Sequence, residues 1–234
     1  MRTVCLVVTS VFVLAAGACA SSDRDSDTRR RVEDREIVFP CDPRVSPVEV
    51  AHVDDDGRVD AITHTWDALP EGDDGPVLRV CSGNGTVEEI EGSGQAEMLQ
   101  VIDVELDGRA EILFGGTTVS AARYDMAVMV GDALEVVTAN EEPLSVWQGA
   151  LEHDDSGNPT QLAEFGCEDG DGDGRRELAV TRLSLTETAA KWSTDFYEIR
   201  GTQAVLEGTR LGSGPRPPAD ASLFDFARSL VPPC

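Results

Sequence analysis

The sequence predicts an all-β domain built from repeated four-stranded antiparallel meanders, closed by a short C-terminal helix. Two observations carry this. A nine-residue acidic loop occurs three times, and every copy is flanked by short apolar runs rich in β-branched and aliphatic residues. Such runs, bounded by turn residues, have the length and composition of strands.

The loops align position by position. The clearest reads Asp169-x-Asp171-x-Asp173-Gly174-x-x-Glu177, within CEDGDGDGRRELAV. A second reads Asp103-x-Glu105-x-Asp107-Gly108-x-x-Glu111, and a third His52-x-Asp54-x-Asp56-Gly57-x-x-Asp60. Arg58, Arg109 and Arg175 stand at position seven of their loops. The loop starts are 51 and 66 residues apart, so the repeat holds one longer insertion. VEVAHV, MLQVIDV and LAEFGC precede the loops, and AITHTW, AEILFGG and ELAVTRL follow them. Further downstream come two strand-like pieces joined by a glycine-bearing turn: PVLRVC-SGNG-TVEEI, MAVMV-GD-ALEVV and DFYEIR-GT-QAVLE. One such meander cannot bury both its faces, so the units should pack on one another.

The chemistry of the loop points to calcium, which takes six to eight hard oxygen ligands. Carboxylates at positions one, three and five point inward, and glycine at six permits the sharp turn. The carbonyl at seven, from Arg58, Arg109 or Arg175, adds a ligand while its side chain points to solvent; an acid at nine completes the set. An EF-hand shares the first half of this pattern, but needs flanking helices and a glutamate at position twelve. Position twelve is Thr63, Phe114 or Val180, and the flanks are strands. The third loop fills every ligand position. The second carries the longer Glu105, and the first is expected to be the weakest because His52 stands in its opening position.

D-x-D-x-D-G-x-x-[DE] between two strands, repeated at this interval, resembles the FG-GAP and VCBS repeats of integrin α-chain-like β-propellers. Phe114-Gly115-Gly116 is similar to the dipeptide that names the first of these. The resemblance covers residues 45 to 210 and is specific in the loops. It implies that each loop joins the first two strands of a propeller blade and holds Ca2+ structurally, while recognition uses the propeller faces. Closed propellers need four or more blades, and three units are recognisable. Either a degenerate fourth lies in SVWQGALEHDDSGNPT together with the N-terminal EIVF, or the domain is a short, atypical assembly.

The N-terminus is read separately. Arg2 followed by an apolar or small run from Val4 to Ala18 has the form of a secretory signal, residues 1–18. Ala15-Ala16-Gly17-Ala18-Cys19 resembles a bacterial lipobox, which implies lipidation of Cys19 and a cell-membrane protein anchored on the extracytoplasmic side; the same residues also fit an Ala-x-Ala cleavage site and a free secreted protein. Residues 19–35 are polar and charged, as in a disordered tether. Residues 36–234 are one domain's worth of chain.

Four cysteines lie in that domain: Cys41, Cys81, Cys167 and Cys234. In an exported protein they are disulfide candidates, with three pairings open. Zinc is disfavoured by the lack of any close cysteine or histidine pair. The formal net charge of −25 excludes a nucleic-acid partner and disfavours docking on anionic lipid, leaving the lipid anchor as the membrane contact. His52, His64 and His153 are scattered, and no nucleophile elbow is present. The expected role is therefore non-enzymatic: a calcium-stabilised extracellular repeat domain of a lipoprotein that binds an unidentified protein or glycan or serves in surface structure. A propeller-type hydrolase or lyase with a site on the propeller face is the alternative.

The tail SGPRPPADASLFDFARSLVPPC places Leu223, Phe226, Ala227 and Leu230 at helical spacing, with Asp220 as the expected N-cap.

Overall fold

The computed structural model describes residues 48–68, 74–91, 98–218 and 220–234. The signal segment, Cys19, the tether, EIVF and Cys41 lie outside the described residues. The first unit is a four-stranded antiparallel meander, β1 (Val48–Ala51), β2 (Asp60–Ala68), β3 (Asp74–Cys81) and β4 (Val87–Glu91), paired in chain order. The second unit is β5 (Met98–Ile102), β6 (Glu111–Thr117), β7 (Ala121–Val130) and β8 (Ala133–Val136), again paired in order. The third is β12 (Pro159–Glu168), β13 (Glu177–Leu185), β14 (Ala189–Arg200) and β15 (Gln203–Pro215). All twelve of these strands coincide with runs expected from the sequence.

The insertion between the second and third units has its own structure. It contains two-residue strands β9 (Thr138–Ala139) and β10 (Glu142–Pro143), then β11 (Ser145–His153). The first half of β11 pairs with β7 and its second half with β12. A turn at Asp154–Asn158 joins it to β12, with the Asp154 side chain accepting from the Ser156 and Asn158 amides. The insertion therefore welds the second and third units into one eleven-stranded sheet, while the first unit keeps a separate four-stranded sheet. Among the described residues the three meanders make two sheets, not three separate ones, and SVWQGALEH supplies a connecting strand instead of a further meander.

Burial explains why β6 and β7 read as almost continuous apolar runs. Ile112, Phe114, Ala127 and Met129 face the first sheet, where they pack with Val53, Ile62, Leu78 and Val80. Their alternate neighbours Leu113, Tyr124, Met126 and Val128 face the other way, onto Phe165, Leu178, Val180 and Ile199 of the third unit. A strand buried on both faces has no polar register to alternate. The large sheet thus curls over itself around one core and receives the small sheet on the outside of β6 and β7.

The tail closes the third unit. Helix α1 (Leu223–Arg228) packs Leu223, Phe226, Ala227 and the following Leu230 against Leu162, Leu183 and Leu185. Its N-cap is Ser222, not Asp220: the Ser222 hydroxyl accepts from the Asp225 amide at 3.1 Å, and Asp225 supplies the first-turn acid. Beyond the helix, the Cys167 amide donates to the Pro232 carbonyl at 3.0 Å, and Gly166 leaves room for that carbonyl, which a Cβ would meet at 1.9 Å. Cys167 and Cys234 form a disulfide, and Cys81 is also disulfide-bonded.

Candidate metal loops

Each acidic loop joins the first and second strands of its unit, and two hydrogen bonds recur in all three. The carboxylate at position nine reaches back across the loop to the amide of position two: Asp60 to Val53 at 3.0 Å, Glu111 to Val104 at 2.8 Å, Glu177 to Gly170 at 2.6 Å. Position five accepts from the amide of position seven: Asp56 from Arg58, Asp107 from Arg109, Asp173 from Arg175. All three position-nine acids are buried at the mouth of the second strand. These local bonds impose the turn, with Gly57, Gly108 and Gly174 at φ of 71°, 89° and 93°, a region costly for other residues.

The third loop is the most complete. Asp169 accepts from Gly172 at 2.7 Å and Gly174 at 3.0 Å, and Asp171 accepts from Asp173 at 2.9 Å. Asp169, Asp171, Asp173 and Glu177 each bring an oxygen into one group whose members all lie within 4.8 Å of one another. Among the described residues, one oxygen each of Asp171, Asp173 and Glu177 receives no hydrogen bond and can ligate. Burial, and then the charges of Asp171, Asp169 and Asp173, push the Glu177 carboxyl above its usual range. An all-oxygen cluster whose members repel one another fits a hard divalent cation.

The first loop also gathers its acids. Asp54, Asp56 and Asp60 bring oxygens within 4.8 Å of one another, and Asp54 and Asp60 are buried. Its opening position works differently, because the His52 ring nitrogen Nδ1 lies 2.5 Å from the Arg58 carbonyl oxygen. A carbonyl only accepts, so the imidazole donates to the oxygen that position seven would offer an ion.

The second loop does not converge in this way. Asp103 accepts from Asp107 and Gly108, but Glu105 lacks the bond that Asp54 and Asp171 make to position five. Leu106, between them, takes a left-handed φ of 59° where the third loop has Gly172. Burial raises the Glu105 carboxyl, followed by repulsion from Asp107 and Glu198, while Arg175 opposes the shift. Glu111 is pushed up to about 7, chiefly by burial. Of the sequence-predicted ligand sets, the structure thus brings together the carboxylates of the first and third loops.

The arginines of position seven do more than expose a carbonyl. Arg58 donates to the Gly83 carbonyl and Arg109 to the Met129 carbonyl, both at 3.1 Å, and Arg175 contacts the Glu198 carboxylate at 3.4 Å. Met129 and Glu198 lie near the end of their unit's third strand and Gly83 in the turn just past it, so each arginine ties its loop to that end of the unit while Arg58 and Arg175 stay exposed, as expected. The recurrence of arginine at one position was the signal for this role. Neighbouring loops are also linked: the Ala110 amide donates to the His52 carbonyl at 2.8 Å, and Arg109 pairs with Asp55 at 3.4 Å.

No protein-family model, curated protein or solved structure matches this chain.

Proposed function

We propose that the chain is a non-enzymatic, calcium-stabilised repeat domain of the FG-GAP/VCBS kind, exported and held by a lipid at Cys19, that binds a protein or glycan at the extracytoplasmic surface. Its meanders are blade-type units of a propeller lineage, the second and third welded by β11. The observation that carries the reading is the third loop: four carboxylates within 4.8 Å, one of them buried, at a turn fixed by its own backbone bonds. Oxygen-only ligands on a bent loop suit Ca2+, which tolerates irregular coordination, better than Mg2+, which demands a near-ideal octahedron.

The role of such an ion is mechanical. It neutralises the acids that crowd the loop and fastens the first strand of a unit to the second. The test is a thermal melt of the folded chain in calcium and in EGTA, with calorimetry for stoichiometry. A melt that EGTA leaves unchanged removes the proposal. The anchor is checked by fractionating cells that express the full chain: it should partition with membranes, and the Cys19→Ser variant should not.

A further inference from the structure

Past Ala163, β12 loses β11 as a partner, because the opening residues of β11 turn away to pair with β7. The C-terminal tail enters the split and is held there by the Cys167 amide and the Cys167–Cys234 disulfide. A cavity of about 350 Å3 remains between β5, β11, β12 and the tail. That volume is at the small end of the range for ligand pockets.

Its polar lining consists of Glu164, Gln148, Gln100 and Arg228, and Ile102 and Phe165 are among its apolar walls. The Glu164 side chain is only 6% exposed. Its Oε1 accepts from the Gln148 amide at 2.7 Å, and its Oε2 receives no hydrogen bond among the described residues. Among the described residues the cation paired with Oε2 is Arg228, with Nε at 3.5 Å and a side chain 64% exposed. That separation is well beyond the ~2.8 Å of a charge-assisted hydrogen bond. A buried carboxylate with one oxygen so loosely matched is under-compensated. The carboxamides are oriented to the same end. Gln148 donates an N–H to Glu164 and Gln100 donates one to the Tyr124 hydroxyl at 3.1 Å, and among the described residues neither carbonyl oxygen receives a hydrogen bond. Acceptors thus predominate in a small, partly apolar cavity of a strongly acidic protein, whose net charge of −25 draws in cations.

We infer that this cavity binds a primary ammonium group on a short apolar stem, with Glu164 as counter-ion, Gln100 and Gln148 as flanking acceptors, and Arg228 as the side chain that the ligand displaces. The ammonium supplies three donors to the three acceptors, and the stem lies along Ile102 and Phe165. A free alkylamine and a lysine side chain share this chemistry. The site is independent of the acidic loops and of any ion they hold.

The experiment is a titration of the full folded chain, in saturating calcium, followed by amide chemical shifts. The probes are n-butylammonium chloride and a doubly capped lysine amide, with n-butanol as the uncharged control. Saturable binding of either cation, with none of the alcohol, is expected; the tighter of the two identifies the source. Glu164→Gln should weaken binding at least tenfold. Arg228→Gln should tighten it several-fold by removing the competitor for Oε2. A purely structural Glu164–Arg228 pair predicts instead that neither variant changes amine binding. Should Glu164→Gln fail to fold, Gln148→Leu gives the same reading through a several-fold loss. Absence of saturable binding to the unaltered chain, or binding indifferent to both Glu164 and Arg228, overturns the inference.

Discussion

The first and third units share one loop pattern but secure it by different means. In the third, Asp169 satisfies two loop amides, four carboxylates face one another, and a disulfide immediately upstream ties β12 to the end of the chain. In the first, an imidazole replaces the opening carboxylate and bonds directly to the position-seven carbonyl. Three acids in place of four, and an internal donor in place of a ligand, leave a turn that holds its shape with less charge to neutralise. The same backbone course therefore accommodates two arrangements: carboxylates gathered closely enough to hold an ion, or a side chain bonded directly to the position-seven carbonyl.

The strongest way to break the comparison is to remove the covalent tie of the third unit. The Cys167–Cys234 bridge spans 67 residues, a length for which loop-closure entropy contributes about 4 kcal/mol. Cys167→Ser/Cys234→Ser should lower the urea midpoint and reduce Tm by roughly 10 °C. A loss under about 1 kcal/mol would mean that α1 and the tail are held by packing alone.

Next in size is the loss of the ion. Asp171→Ala/Asp173→Ala removes two ligands and the bonds to the Asp173 and Arg175 amides. At a calcium concentration a hundred times the Kd, the lost linkage is about 2.7 kcal/mol, or roughly 5–10 °C for a domain of this size. The variant should melt at one temperature with or without calcium, if the third loop is the dominant site. A full calcium response surviving in this variant would shift the role to another loop.

Converting one loop into the other sharpens the contrast. His52→Asp creates the full set of acids but deprives the Arg58 carbonyl of its donor. In EGTA the variant should be less stable by about 1 kcal/mol, since it also adds a negative charge beside Asp54, Asp56 and Asp60. In calcium it should be more stable than the parent, with a calorimetric stoichiometry higher by one ion. Equal stability in both buffers would show that position one matters to neither state.

Much of this was legible in the sequence because it is local. The loops, their flanking strands, the glycine turns and the apolar face of α1 all rest on short spacings, and each appears where those spacings put it. What was not legible is pairing between distant segments. Nothing in SVWQGALEH states that its first half joins β7 and its second half β12, because alternation specifies a strand's faces but not its neighbours. The N-cap was misplaced by two residues because Asp220 and Ser222 are both good caps, and only the hydroxyl contact to Asp225 distinguishes them. The contacts that the arginine side chains make on the way to solvent are not legible because their targets, Gly83, Met129 and Glu198, lie twenty or more positions away.

The mildest test concerns how the separate first sheet is joined to the large one. His64 on β2 is fully buried against β5 and β6, with Nδ1 3.1 Å from the Met98 carbonyl and its ring edge-on to Phe114 at 5.5 Å. The carbonyl requires Nδ1 to carry the proton, which leaves Nε2 as a buried nitrogen without a partner. A second proton would create an unsatisfied charged donor there, and burial accordingly holds the imidazole below its ordinary value of 6.5. The unfolded chain then binds a proton that the folded one refuses. Stability from this group is complete above pH 6.5 and declines as the pH falls below it, toward the lowered folded value. His64→Leu, compared with the parent chain in urea melts between pH 5 and 8, should remove that part of the slope while keeping the edge contact with Phe114 apolar. If the difference between the two chains is constant across the range, the imidazole does not titrate at the seam, and the two sheets are coupled through their apolar contacts alone.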